Sequence, residues 1–288
     1  MNDFAIIDIG SNSVRLMRVA DGKVLYKRLK TTRLGEGLAE SPRLKETAIV
    51  RTAEAVAAFV EETKREGAGN VYAFATAAVR SAENREEFLS RVDKLCGLKI
   101  EVVSGEEEAE LGILGALGGA DGCVIDAGGA STEIVVQKDG QTVYKKSVNI
   151  GVVRLKDTCG RELARLKAAA EKAAREYGAV PTGVPVYAIG GTATTLAAIK
   201  LGLEVYDSAK ITGTVLSHNE LEEMSDRLAG MSVEEIANTK GVAQNRADII
   251  GGGAVLLSTL AKTLGFEKIT VSDSDNLEGY AKKRGLMK

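Results

Sequence analysis

The chain has no tryptophan, one histidine, three prolines and three cysteines in 288 residues, and aromatics make up only 4% of it. Each shortage excludes something. With so few aromatic rings, binding of single-stranded nucleic acid by stacked bases is not expected. The lone His218 falls in a helix-start segment and reads as a solvated residue, so histidine phosphoenzyme chemistry has no basis. Cys96, Cys123 and Cys159 are widely spaced and odd in number, which fits neither a disulfide framework nor a CxxC metal motif. They read as packing residues in a reducing compartment. No apolar run approaches the roughly 18 residues of a spanning helix. Met1-Asn2-Asp3 carries no basic n-region and runs straight into a short apolar strand, so no signal peptide is expected and the location read is cytoplasmic. Net charge is -2, which gives no global attraction for nucleic acid. Neither nucleic acid nor membrane is an expected partner.

What is present is a globular composition, 44% hydrophobic and 27% charged, with 32 glycines. Length allows about two domains, each with its own core. Residues 4–8 and 14–19 read as strands around a small-residue turn, and 23–29 as a third strand after the Asp21-Gly22 turn signal. Ser41-Pro42 is expected to open a helix whose apolar stripe includes Leu44, Ile49, Val56, Phe59 and Thr63, ending at Gly67. Strand 71–76, helix 83–96 and strand 98–103 follow. Ser104-Gly-Glu-Glu107 is a capping box for a helix reaching about residue 117.

After Gly118, Gly119 and Asp121-Gly122 the opening pattern returns. Ile125, Asp126, Gly128 and Ser131 stand where Ile7, Asp8, Gly10 and Ser13 stood. Asp139-Gly140 supplies the next turn and residues 141–148 the third strand. Each half therefore opens with the same hairpin, the mark of a duplicated domain. The second half continues with helix 161–177, strand 186–189 running into Gly190-Gly191-Thr192, capping boxes at Ser217 and Ser232, helix 248–264, strand 268–272 and a terminal helix. Alternating strands and helices make the fold α/β. The expected domains are 1–119 and 120–288, with the terminal helix able to pack back on the first.

Three turns rich in glycine and hydroxyls follow short apolar strands: Gly10-Ser11-Asn12-Ser13, Gly128-Gly129-Ala130-Ser131 and Gly190-Gly191-Thr192. Small residues let backbone N–H groups point into a concavity and cradle phosphate without large positive charge. A tight hairpin without ligand is the plainer reading of any one of them; three, two of them repeats, favour the cradle. Asp8 and Asp126 end apolar strands, where a carboxylate is costly to bury. Either a hard cation such as Mg²⁺ answers that cost, or each aspartate caps its own turn. Glu133, seven residues beyond Asp126, could share the metal or orient water, or be a solvated strand residue. Glu106, Glu107 and Glu108 open a helix, where acids suit the dipole, yet anhydride hydrolysis needs a carboxylate to deprotonate water, and neighbouring carboxylates raise one another's pKa. Arg15, Arg80 and Arg154 stand at loop or strand edges beside the proposed cleft, where guanidinium forks suit phosphate.

In these residues the chain resembles the exopolyphosphatase and guanosine pentaphosphate phosphohydrolase (Ppx/GppA) family of the actin-like ATPase superfamily. The segments that carry the resemblance are Asp8-Ile-Gly-Ser-Asn-Ser13, Ala75-Thr-Ala-Ala-Val-Arg80, Ser104-Gly-Glu-Glu-Glu-Ala109, Ile125-Asp-Ala-Gly-Gly-Ala-Ser-Thr-Glu133, Ile189-Gly-Gly-Thr192 and Arg246-Ala-Asp-Ile-Ile250, in order along nearly the whole chain. The resemblance implies two actin-like (ribonuclease H-like) lobes with a cleft between them, a Mg²⁺ cofactor, and removal of terminal phosphate from polyphosphate or a guanosine nucleotide. It implies Glu108 as the catalytic base, leaving Glu107 as the cap, Asp126 and Glu133 as metal- and water-positioning acids, and Arg80 as the phosphate-binding arginine. A homodimer is left open.

Three departures stand out. The second loop reads Gly128-Gly129-Ala130 where three glycines are usual. Asn276-Leu277-Glu278-Gly279 replaces Leu-Arg-Glu-Gly, so a basic residue is missing and substrate contact from this segment is in doubt. The helical C-terminal region of longer members is not expected here. A short chain at net charge -2 lacks an extended positive track, so short polyphosphates or nucleotide-borne phosphates are expected to be preferred over long polymers. The competing readings are a small-molecule kinase or ATPase on the same fold, which would consume ATP only with an acceptor, and a non-catalytic sensor, which would bind without turnover.

Overall fold

A computed structural model describes residues 3–287; Met1 and Asn2, on which the reading of the N-terminus rests, and Lys288 lie outside the described residues. Two mixed sheets carry the chain. The first contains β1 (Phe4–Ile9), β2 (Ser13–Ala20), β3 (Lys23–Thr31), β4 (Asn70–Ala75) and β5 (Glu101–Val102), in the order β3-β2-β1-β4-β5. The second contains β6 (Gly122–Ala127), β7 (Thr132–Lys138), β8 (Gln141–Val148), β9 (Val186–Ile189), β10 (Val215–Ser217) and β11 (Lys268–Val271), in the order β10-β11-β9-β6-β7-β8.

The repeat extends to fine detail. In both sheets an antiparallel meander is followed by a strand parallel to its first member, β4 beside β1 and β9 beside β6. The first turn is closed in each case by one bond of 3.0 Å, Gly10 N–H to Ser13 C=O and Gly128 N–H to Ser131 C=O. The second turn puts Asp21 and Asp139 at φ 51° and 53°, each followed by a glycine at positive φ, as a two-residue hairpin turn requires. Even the register shift between second and third strands recurs, at Arg18/Val19 and at Val136/Gln137. This duplicated pair of lobes is the actin-like α/β arrangement that the resemblance implied.

Period-two alternation decides which layer each strand residue meets. Ala5, Ile7 and Ile9 of β1 join a core with α1 (Glu46–Arg65) and α3 (Arg85–Cys96). Phe4 and Ile6 face the other way, into a cluster with Leu111 of α4 (Gly105–Leu117) and Leu277, Tyr280 and Ala281 of α12 (Asn276–Lys283). In the second sheet Cys123, Ile125 and Ala127 enter the large core built on α11 (Ile250–Leu264), while Val124 meets Ala109 and Ile113 of α4. By parity Asp8 and Asp126 both belong to the α4/α12 side, so the layer shared by the two sheets is where their carboxylates lie. The helices of that layer cross with almost no gap. A Cβ on Gly115 would stand 1.9 Å from the Asp275 carbonyl oxygen, and one on Gly279 would stand 1.8 Å from that of Leu111.

The remaining helices are α2 (Ala77–Ser81), α5 (Val152–Cys159), α6 (Leu163–Tyr177), α7 (Gly190–Lys200), α8 (Ser208–Ile211), α9 (His218–Gly230) and α10 (Val233–Ala237). Among the described residues no helix is long and apolar enough to cross a membrane. The three cysteines are free.

Some boundaries differ from the sequence reading. The helix expected at Ser41-Pro42 begins at Glu46. The Asn84 side chain brackets Leu44 instead, accepting from its N–H at 2.8 Å and donating to its carbonyl at 3.1 Å, which withdraws those groups from any helix. Helix α5 was not anticipated, since eight residues carry too little periodicity; its first N–H groups, from Val152 and Val153, bond the carbonyls of Gly128 and Gly129. The strand expected over 98–103 pairs only through Glu101–Val102.

Candidate active site

The twin hairpin turns face each other and touch. A Cβ on Gly129 would lie 2.8 Å from the Ser11 Cβ and 3.3 Å from the Asn12 nitrogen, so only glycine lets the turns close to this distance. Between them is a cavity of about 90 Å³. Its wall takes in Asp8, Gly10 to Ser13, Glu108, Asp126, Gly128 to Ser131 and Gly190 to Thr192, which brings together nearly all the residues singled out from the sequence. Ala130 needs no positive φ, so replacing the usual third glycine costs the turn nothing. Gly190 does sit at φ +79°, and a Cβ there would come within 2.7 Å of Asp126 Oδ1.

The acids have different surroundings although their positions repeat. Across the first hairpin Asp8 pairs with Arg15; across the second Asp126 pairs with Glu133. The repeat thus carries a cation in one lobe and an anion in the other. Arg15 donates to Asp8 Oδ2 from Nε at 3.0 Å and from Nη2, and its Nη1 bonds Asp275. Arg15 thus supplies a cation to Asp8, and neither aspartate accepts a bond from its own turn among the described residues. Asp126 accepts from Asn276 Nδ2 at 3.0 Å on Oδ2, and no protein group engages its Oδ1 among the described residues. Burial, with Asp275 and Asp8 nearby, pushes its carboxyl up to about 6 against the pull of Arg15.

Glu108 is 7% exposed at the start of α4, and Arg80 Nη1 donates to its Oε2 at 2.9 Å. Burial lifts its carboxyl to about 7, with Arg80 opposing and Asp126 and Asp8 adding to the rise. The carboxylates that add to the rise are thus the two strand-end aspartates rather than neighbours along the helix. Glu106 is exposed, and Glu107 completes the expected capping box with Ser104. Glu133, expected as a second catalytic acid, a metal-sharing acid or a solvated strand residue, is 1% exposed and lies opposite Asp126 in the sheet, outside the cavity wall. Ser147 Oγ donates to its Oε1 at 2.6 Å, its Oε2 is buried without a partner, and burial with Glu108 and Asp126 holds its carboxyl well above the usual range.

The arginines sort differently from expectation. Arg80 also donates to the Val103 carbonyl at 3.0 Å and stands behind Glu108, off the cavity wall. Arg154 Nε donates to the Ala130 carbonyl at 3.1 Å and braces the second turn. The wall instead presents Arg15, already paired, and Arg246, whose guanidinium bonds no protein group among the described residues. Arg246 lies directly over Gly191, where a Cβ would fall 2.0 Å from its Nη1. Burial, aided by Arg15, lowers it to about 10, so it stays a cation at neutral pH. Arg246 and Asn276 were not read as site residues. The first opens a segment quoted for the resemblance, which was the available signal; the second is brought to the wall only by tertiary packing. His218 is half-buried at the start of α9, away from the cavity.

No group of three or more His, Cys, Asp or Glu side chains is gathered to hold a metal among the described residues. The donor set nonetheless fits a hard cation. It consists of oxygens only, Asp126 offers a carboxylate oxygen free of protein bonds, and Mg²⁺ takes one or two carboxylates and completes its shell with water and substrate phosphates. Three carboxylates in the wall would also repel a polyanion unless a cation offset them.

A family model described as the Ppx/GppA phosphatase family matches residues 16–282. Exopolyphosphatase 2 of Mycobacterium tuberculosis is 33% identical to this chain over 314 aligned residues, covering 96% of this chain and 97% of that protein. A guanosine-5'-triphosphate,3'-diphosphate pyrophosphatase of Aeromonas hydrophila is 29% identical, covering 96% of this chain but 58% of that longer protein. Among solved structures, the Ppx/GppA family member of Aquifex aeolicus superimposes with a TM-score of 0.80 at 31% identity, covering 99% of this chain and 97% of its own.

Proposed function

The chain belongs to the Ppx/GppA phosphatase family, and on that footing we propose that it releases the terminal phosphate of inorganic polyphosphate or guanosine pentaphosphate in the cavity between the hairpins, with Glu108 as general base. The observation that carries this reading is Glu108 itself. It is a buried carboxylate lifted to about 7, aimed by Arg80, in the wall of a cavity that both phosphate-type turns line.

The terminal phosphate would be held by backbone N–H groups of the hairpin turns, by the start of α7, and by the Arg246 fork. Glu108 would take the proton of a water attacking the phosphorus in line, at a pKa suited to neutral conditions. Arg80 would keep the Glu108 carboxylate oriented. Asp126 would be the main holder of Mg²⁺, with Asp8 and Glu133 as the carboxylates beside it. The metal, when bound, would offset the charge of the phosphate and of the leaving oxygen. Residues 1–119 and 120–288 would be the units that close on substrate and exclude water, with α12 crossing back to the first.

Phosphate release from short polyphosphate, long polyphosphate and guanosine pentaphosphate, run side by side with Mg²⁺ and with a chelator, tests the proposal. Release that requires Mg²⁺ and favours short chains or the nucleotide is expected. Binding without release, or turnover only with a phosphate acceptor, would overturn the hydrolytic reading. Activity rising steadily to polymers of hundreds of units would overturn the chain-length preference.

A further inference from the structure

Two consecutive residues ahead of and at the start of α12 reach the repeated aspartates of both lobes. Asp275 bonds Arg15, which bonds Asp8, while Asn276 bonds Asp126. On its first-lobe side the segment is pinned further, since Lys27 of β3 donates to the Asp273 carbonyl at 2.8 Å and pairs with Glu278 at 2.6 Å. The next residue, Leu277, is 1% exposed and sits in the apolar cluster under the first sheet. The segment meets the cavity between the hairpin turns through Asn276.

We propose that Asn276 is a positioning residue: its amide holds the Asp126 carboxylate in the orientation that leaves Oδ1 free for a divalent cation. The inference rests on the assignment of Asp126 as the metal-holding residue. Three observations support it. Asn276 is 3% exposed and lines the cavity wall. Its one bond goes to Asp126 Oδ2, while its own Oδ1 is buried with no partner. A half-satisfied amide is a poor choice for packing alone, because a leucine would fill the same space without stranding an acceptor. The position is also rigidly set: α12 is locked to α4 by the Gly115 and Gly279 contacts, and Gly112 leaves 3.1 Å between its would-be Cβ and Asn276 Oδ1. Groups that orient a metal-holding carboxylate typically change metal affinity or activity by about 10- to 100-fold when removed.

The test compares the full-length protein with Asn276→Leu and Asn276→Ser, the first near in size without a donor, the second shorter with one. Binding of Mn²⁺ or Mg²⁺ to the metal-free proteins is measured by calorimetry without substrate, and kcat and KM are measured separately. Asn276→Leu is expected to weaken cation binding at least about tenfold and to lower kcat with KM little changed. Asn276→Ser should fall between it and the parent. Folding is followed by thermal melting in metal-free buffer. Cation affinity and kcat within about twofold of the parent in the folded Leu variant would overturn the proposal. Should the Leu variant not fold, an unchanged cation affinity in Asn276→Ala would do the same. Because the cation is measured without substrate, this outcome is separate from any failure to hydrolyse polyphosphate.

Discussion

Replacing Glu108 by glutamine removes the proposed base and also a destabilising charge, so it should move activity and stability in opposite directions. Burial lifts this carboxyl from its ordinary 4.5 to about 7. The shift is upward, so the folded chain keeps a proton that the unfolded chain has released. That contribution is complete below about pH 4.5 and lost as pH rises through about 7. A difference of about 2.5 units corresponds to about 3 kcal/mol of folding free energy given up once Glu108 ionises. Glutamine, neutral at every pH, imitates the protonated side chain and can still accept from Arg80. The Glu108→Gln protein should therefore match the parent in stability near pH 4 and exceed it by up to about 3 kcal/mol at pH 8, about 5 °C in unfolding midpoint for a chain of 288 residues. Turnover should fall at least about 10²-fold while substrate still binds. In the parent, kcat/KM should climb with pH to a plateau, half-complete near pH 7, because the ionised form is the active one. Calorimetric or fluorescence melts across pH 4–8, with phosphate release on the same samples, give both readings. Equal midpoints at pH 8, or undiminished turnover, would refute the reasoning.

Other consequences are as direct. Arg246→Ala should raise KM about 10- to 100-fold with a smaller effect on kcat, the scale of a charge-assisted bond to the bound phosphate; steady-state kinetics on a short polyphosphate decides it, and an unchanged KM removes Arg246 from substrate holding. Gly279→Ala would put a methyl 1.8 Å from the Leu111 carbonyl and force α12 off α4. A loss of about 3 kcal/mol or more in denaturant unfolding is expected, together with lower activity, since Glu108 and Asn276 ride on those two helices.

Much of this was legible in the sequence because the duplication is written there twice. The pairs Asp8/Asp126, Gly10/Gly128 and Ser13/Ser131 are enough to predict matched hairpins, and the Asp-Gly turns after them predict the third strands. Capping boxes at Ser104, Ser217 and Ser232 locate helix starts to within a residue, since the signal is a local side-chain bond. Signals of longer reach were not visible. That position 15 carries the cation neutralising Asp8, while its repeat at 133 carries an acid, follows from strand register. The role of Asn276 depends on a helix crossing that brings it to an aspartate 150 positions earlier in the chain. Arg80 serves a carboxylate, which spacing alone could not tell from serving a phosphate. The pKa of Glu108 rises mainly from burial, a property no run of three glutamates reveals.

The most direct test of the central claim, that water activated in this cavity attacks the terminal phosphorus, is hydrolysis of a short polyphosphate in ¹⁸O-labelled water with mass analysis of both products. One labelled oxygen in the released inorganic phosphate, none in the shortened chain, and loss of phosphate release in the Glu108→Gln protein is the result predicted here. Label in the shortened chain, or phosphate released without label, would contradict it.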